Sequence, residues 1–241
     1  MLRSNPLPPV GHEMKKKEIF FISGLLSNES VWKYQIESLG GRAITKVVSP
    51  TEETPQKMLD KILKEAPDRF VLIGHSMGGW LAMEVMRKAK DRVSSLCLLN
   101  TTARSDSPEK RNKRLELISR AQKGEFPSIV RELVDNFVVV PSAKKEVEKM
   151  FFEVGVDAFI RQEKSMLSRE EFESILPTIS CPTLVIHAEK DKLFSLDDHQ
   201  NIVNKIPNAK LEIVENSGHM SPLEMPDKVN SFLKKWIETI P

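Results

Sequence analysis

The chain has 241 residues, enough for one sizeable α/β domain. Its 36 basic and 34 acidic residues leave a formal charge of +2, too slight an excess to draw the whole molecule onto nucleic acid or an anionic membrane. A hydrophobic content of 40% excludes a disordered composition, and no apolar run is long enough to span a bilayer.

The first 17 residues hold three prolines and the run Lys15-Lys16-Lys17, but no apolar core of the signal-peptide type. A cytoplasmic location is therefore the expectation. Two cysteines, Cys97 and Cys181, lie in or beside apolar runs and read as buried thiols rather than a disulfide.

Ile19 to Ser23 is a short apolar run that predicts a first strand. Ala43 to Val48 predicts a second. Thr54-Pro55 then supplies an N-cap and a first-turn proline, with Met58, Leu59, Ile62 and Leu63 at helical spacing and Pro67 as the stop. Phe70 to Ile73 predicts a third strand, buried on both faces because its apolar residues do not alternate. Gly78 to Lys90 carries Leu81, Ala82, Val85, Met86 and Ala89 on one helical face, and Val93 to Leu99 is the fourth strand. Such alternation implies an α/β fold with a mostly parallel sheet.

From about Arg104 to Leu176 the sequence becomes charged and helical in period, with Leu115 and Ile118 sharing a face and Ile129, Leu133 and Phe137 marking a second segment beyond Gly124. Residues 104–176 read as a helical insertion, residues 1–103 and 177–241 as the core. A strand over Thr183 to Ile186, a helix over Leu196 to Ile206 and a strand over Lys210 to Val214 resume the alternation. A helix opening at Pro226 and carrying Val229, Phe232, Leu233 and Trp236 closes the chain.

The third strand runs into Gly74-His75-Ser76-Met77-Gly78 and then a helix. A serine hydroxyl is a weak nucleophile and must be exposed, aimed and close to a base. A sharp strand-to-helix turn does this by lifting Ser76 off the sheet. Gly74 and Gly78 leave room where the backbone folds over itself, and the helix N-terminus adds free N–H groups and positive potential. His219, in the glycine-bearing loop Asn216-Ser217-Gly218-His219, follows a strand and can reach over the sheet toward Ser76. The turn after Ile186 offers Glu189 and Asp191, with Asp197 better suited to a helix start.

The segment Gly74-His75-Ser76-Met77-Gly78-Gly79 resembles the nucleophile elbow of the α/β-hydrolase superfamily, in its bacterial serine esterase and acyltransferase-like branch. The resemblance implies an α/β-hydrolase fold with a helical lid over residues 104–176. With few residues ahead of the first parallel strand, the N-terminal antiparallel pair is expected to be reduced. It further implies Ser76 as nucleophile, His219 as base and Asp191 as the acid that orients it, with Ala188 where the family usually has glycine. Two backbone N–H groups would form the oxyanion hole, those of Met77 and Leu25, in a loop where Ser23 replaces the usual histidine. Gly24, Leu26, Phe194 and Met220 are the expected substrate contacts. The remaining histidines, His12, His75, His187 and His199, read as structural or solvated.

The implied reaction is acyl transfer on a small carboxylic ester or thioester with an apolar acyl group. A carbon–carbon bond hydrolase or lyase with the same triad, and a non-catalytic binding protein on the same fold, are the alternatives. Epoxide hydrolase or dehalogenase chemistry needs a carboxylate in place of Ser76. No histidine–carboxylate cluster has metal-ligand spacing, and Gly74 to Gly79 lacks the Lys-Ser/Thr of a phosphate-binding loop, so neither metal nor organic cofactor is expected.

Overall fold

The computed structural model describes residues 16–241. Within them lies one sheet of six strands, all parallel, in the order β2-β1-β3-β4-β5-β6. The strands are β1 (Lys17–Ile22), β2 (Ala43–Val48), β3 (Phe70–His75), β4 (Val93–Leu99), β5 (Thr183–Ala188) and β6 (Ala209–Val214). The expected reduction of an N-terminal antiparallel pair, and the reading of His12, fall on residues 1–15, outside the described residues.

Side chains along a strand alternate between faces, and here the alternation sorts the core into two layers. Phe21, Ile73, Cys97 and Ile186 face one way and join α1 (Lys33–Leu39) and the closing helix α10 (Pro226–Thr239), through Leu39, Val229, Leu233 and Trp236. Phe20, Leu72, Leu98 and Val185 face the other way, against α2 (Pro55–Glu65), α3 (Met77–Ala89) and α8 (Leu196–Lys205). The Thr54 side chain accepts from Lys57 N and caps α2, while Ser195 and Asp198 form a capping box on α8. A single turn of helix, α9 (Ser221–Glu224), precedes α10.

Four helices fill the stretch between β4 and β5: α4 (Pro108–Gln122), α5 (Phe126–Phe137), α6 (Pro141–Val154) and α7 (Val156–Leu167). Gly155, at φ 84°, breaks the chain between the last two. Their apolar sides, including Leu117, Ile129, Val147 and Phe159, continue the core layer that holds Trp32 and Leu26. Leu115 does not share the buried face of Ile118: it is 52% exposed, and Leu117, Ile118 and Ala121 face inward. Where the insertion leaves and rejoins the core lies a buried ion cluster. Arg114 bridges Asp106 at 2.6 Å and Glu163 at 2.8 Å, and Arg169 bridges Asp106 at 2.7 Å.

Cys97 is buried in β4. Cys181 is only partly buried, because it precedes β5 at the wall of a surface cleft of about 490 Å³. That cleft also takes in Arg69 and Lys90, at the N-terminal edge of the sheet. Among the described residues no helix is long and apolar enough to cross a membrane.

Candidate active site

Five strands of a parallel sheet deliver their following loops to one edge, the usual place for a ligand in an open α/β sheet. Here β1 is followed by Ser23–Leu26, β3 by Ser76, β4 by Asn100, β5 by Asp191 and β6 by His219.

Ser76 sits at φ 56° and ψ −119°, a left-handed conformation that costs a non-glycine residue about 1–3 kcal/mol. Its neighbours hold it there. Ser76 N donates to Leu99 O at 2.9 Å, and the Ser76 carbonyl accepts from Gly79 N at 3.0 Å and Thr101 Oγ1 at 2.9 Å. A β-carbon on Gly74 would lie 2.3 Å from Gly78 O, and one on Gly78 would lie 2.2 Å from Ile22 O. Only glycine fits either position.

Three side chains from three loops form one chain of contacts. His219 Nε2 lies 2.8 Å from Ser76 Oγ, and His219 Nδ1 lies 2.8 Å from Asp191 Oδ2. With an ionised Asp191, the shared proton belongs on Nδ1, which leaves Nε2 as acceptor for the serine hydroxyl. Asp191 Oδ1 accepts from Leu193 N at 2.8 Å. Burial pushes the Asp191 carboxyl up, but the His219 imidazole and the Leu193 N–H outweigh it and hold the group below the usual carboxylate range. Ala188 needs no glycine: it ends β5 in extended backbone, and its N–H donates to Asn100 Oδ1 at 2.9 Å.

The imidazole of His219 is walled by rings, with centroids at 4.9 Å to Phe137, 5.7 Å to Phe194 and 5.0 Å to His75. Its main chain is fixed as firmly. His219 N donates to Phe137 O at 2.8 Å, and the His219 carbonyl accepts from Asn100 Nδ2 at 2.8 Å and from His75 Nε2 at 2.8 Å. Burial above all, with the neighbouring His219 imidazole adding to it, lowers the His75 pKa to about 3, so this donor is a neutral imidazole.

The Ser23–Leu26 loop abuts the elbow: a β-carbon on Gly24 would stand 3.0 Å from His75 O and 3.1 Å from Ser76 Cβ. Ser23 is buried and braces the loop, donating from Oγ to Asn28 O at 3.3 Å and accepting from Ser49 Oγ at 3.1 Å. Leu26 N donates to Gln162 Oε1 at 3.0 Å. Among the described residues, the N–H groups of Leu25 and Met77 donate to no protein acceptor.

A cavity of about 290 Å³ opens beside these loops, walled by Leu25, Phe194 and Leu193 from the core and by Leu117, Leu133 and Phe137 from the insertion. Lys110, Lys113 and Lys192 stand at its polar side. Of the anticipated contacts, Phe194 lines it, together with Leu25, expected as an oxyanion-hole donor. Leu26 and Met220 are instead buried in the core, and Gly24 packs against Ser76. Asn100, Gln162 and Glu224 escaped the sequence reading, and only Asn100 carried a signal, as a polar residue directly after a wholly apolar strand.

Fold and site geometry together define a hydrolase-type α/β scaffold, and the chain belongs to the alpha/beta hydrolase family, whose model matches residues 19–232. It is 25% identical over 178 residues to a 2-hydroxy-6-oxononadienedioate/2-hydroxy-6-oxononatrienedioate hydrolase of Pseudomonas sp, covering 70% of this chain and 63% of that one. An abhydrolase domain-containing protein of Schizosaccharomyces pombe is 29% identical over 210 residues, 76% of this chain and 54% of the relative. The chain thus spans between half and two thirds of these relatives' lengths. Among solved structures, a thermophilic esterase from Thermogutta terrifontis superposes with a TM-score of 0.84 at 24% identity, over 93% of this chain and 90% of that one.

Proposed function

We propose that this chain is a serine hydrolase that cleaves a small carboxylic ester or thioester with an apolar acyl group. One observation carries the reading: the unbroken line from Ser76 Oγ through His219 to Asp191, each contact 2.8 Å.

Ser76 Oγ attacks the carbonyl carbon while His219 Nε2 takes its proton. The new imidazolium is stabilised by Asp191, which orients the ring through Nδ1 without taking the proton. Negative charge on the substrate oxygen is met by the uncommitted N–H groups of Leu25 and Met77, the latter at the N-terminus of α3. His219 returns its proton to the leaving group, and an acyl-enzyme remains. Water, deprotonated by the same imidazole, then releases the acid. The insertion serves as a lid, since α4 and α5 supply Leu117, Leu133 and Phe137 to the cavity wall. That apolar wall favours an apolar acyl chain.

The Pseudomonas relative's name makes carbon–carbon bond cleavage the second reading, with the same serine and imidazole. Turnover of p-nitrophenyl esters against turnover of a ring-cleavage diketone separates the two. A fluorophosphonate probe should label the protein and fail on Ser76→Ala and His219→Ala. Labelling that survives in Ser76→Ala, or no labelling of the unaltered chain, would return the protein to a binding role.

A further inference from the structure

Glu224 is a buried carboxylate, 5% exposed, with no cationic partner among the described residues. A lone buried anion is costly unless hydrogen-bond donors replace its water. Here four backbone N–H groups do so. Oε2 accepts from Val139 at 2.8 Å, Val140 at 2.9 Å and Gly218 at 3.2 Å, and Oε1 accepts from Met220 at 3.0 Å.

These donors fall into two pairs. Gly218 and Met220 flank His219. Val139 and Val140 lead into the N-terminus of α6, and they follow Phe137, whose carbonyl takes the His219 N–H. The approach is close enough that a β-carbon on Gly218 would stand 2.9 Å from Glu224 Oε1 and 2.6 Å from Phe137 O. One carboxylate therefore clamps the histidine loop, from both sides of the histidine, to the end of α5.

We propose that Glu224 is the positioning residue of this site: it fixes the His219 loop against the 137–140 segment, so that Nε2 stays aimed at Ser76 Oγ. The proposal rests on the reading of His219 as base. Segment 137–140 is then a fixed wall of the active site, not a moving part of the lid.

Glu224→Gln probes the clamp with little change of shape. Its single oxygen can serve the three donors on one side, but its amide then confronts the Met220 N–H, next to His219. With p-nitrophenyl butyrate, kcat should fall about 10- to 100-fold while KM stays within about twofold, the pattern of a misaimed group rather than a lost binding contact. Glu224→Ala should fall further and recover in part with added formate, which can refill the carboxylate position. Glu224→Asp keeps the charge but withdraws it by one methylene, and stands in should either variant fail to fold. The NMR resonance of the His219 Nδ1 proton, held by Asp191, reports the clamp without any turnover. It should broaden in Glu224→Gln at a temperature where circular dichroism shows both proteins folded. A folded Glu224→Gln with unaltered kcat, or with that proton line as sharp as in the starting protein, overturns the proposal. Failure of the unaltered chain to hydrolyse any ester would count against the esterase reading instead, and the proton line would still decide for or against Glu224.

Discussion

Leu26, held at φ 53°, donates its N–H to Oε1 of Gln162, 136 residues further along the chain. Gln162 is wholly buried in α7 and passes its own amide to Pro50 O at 2.8 Å. The left-handed residue next to Leu25 is thus stabilised from the insertion. Replacing Gln162 by Ala strands a buried N–H and a buried carbonyl, at a cost of about 1–3 kcal/mol for each. The expected result is a lower urea midpoint together with a reduced kcat. Gln162→Glu, which keeps the acceptor but not the donor, should recover more of the kcat than of the stability.

Removal of the Ser76 hydroxyl should cost on the order of 10⁶-fold in turnover if the three side chains act as a unit. Asp191→Asn should cost about 10⁴-fold, because an amide at that position favours the wrong imidazole tautomer. Steady-state rates on a p-nitrophenyl ester check both. An Asp191→Asn enzyme within tenfold of the starting protein would point to another carboxylate.

Gly78→Ala drives a methyl group to 2.2 Å from Ile22 O, a backbone atom that cannot swing aside. The loss should be at least 4 kcal/mol, among the larger single-residue effects. Thermal unfolding reads it directly. A melting temperature within a few degrees of the starting protein would mean that the backbone around Gly78 yields to a methyl group.

Stability should decline on mild acidification. Burial is the main cause in two histidines, lowering the pKa to about 3 at His75 and about 4 at His199. From pH 6.5 down to those values the unfolded chain takes up protons that the folded one refuses. Each histidine then removes up to about 1.4 kcal/mol of stability per pH unit. His199 donates from Nδ1 to Ser195 O and accepts the Thr101 N–H, so Gln is a tolerable replacement. Melting temperatures recorded between pH 7 and pH 4.5 should fall less steeply for His199→Gln. Parallel curves would remove His199 from the account.

A cavity of about 290 Å³ is at the small end of ligand sites. Rates should peak at short acyl chains and drop for long ones, and Leu133→Ala should move the optimum toward longer chains. A flat profile would place the acyl chain elsewhere.

Much of this molecule was legible because local chemistry and global fold agree. The bounds of β2 and β4 and the start of α2 follow from apolar runs and a Thr-Pro cap. The loops bearing Ser76 and His219 could be found because close approach demands glycine at 74, 78 and 218. Leu115 misled, since in a strongly charged helix a single apolar residue carries little phase information and Leu117 took the inward face. Asn100, Gln162 and Glu224 were out of reach for a different reason: each is used to bind backbone groups from distant parts of the chain, such as Val139 to Glu224, and backbone groups leave no mark in a sequence.

The ion cluster of Asp106, Arg114, Glu163 and Arg169 joins the stem through which the chain enters the insertion to the stem through which it leaves. Removing one member would strand its partners at about 3–5 kcal/mol, and salt should barely weaken a network this well shielded. The four helices are in effect laced shut at the neck, like a pouch with a drawn cord. If the insertion is the lid proposed above, substrate would enter by small yielding near the cavity mouth, and amide exchange along α4 and α7 should proceed in concert as one cooperative block.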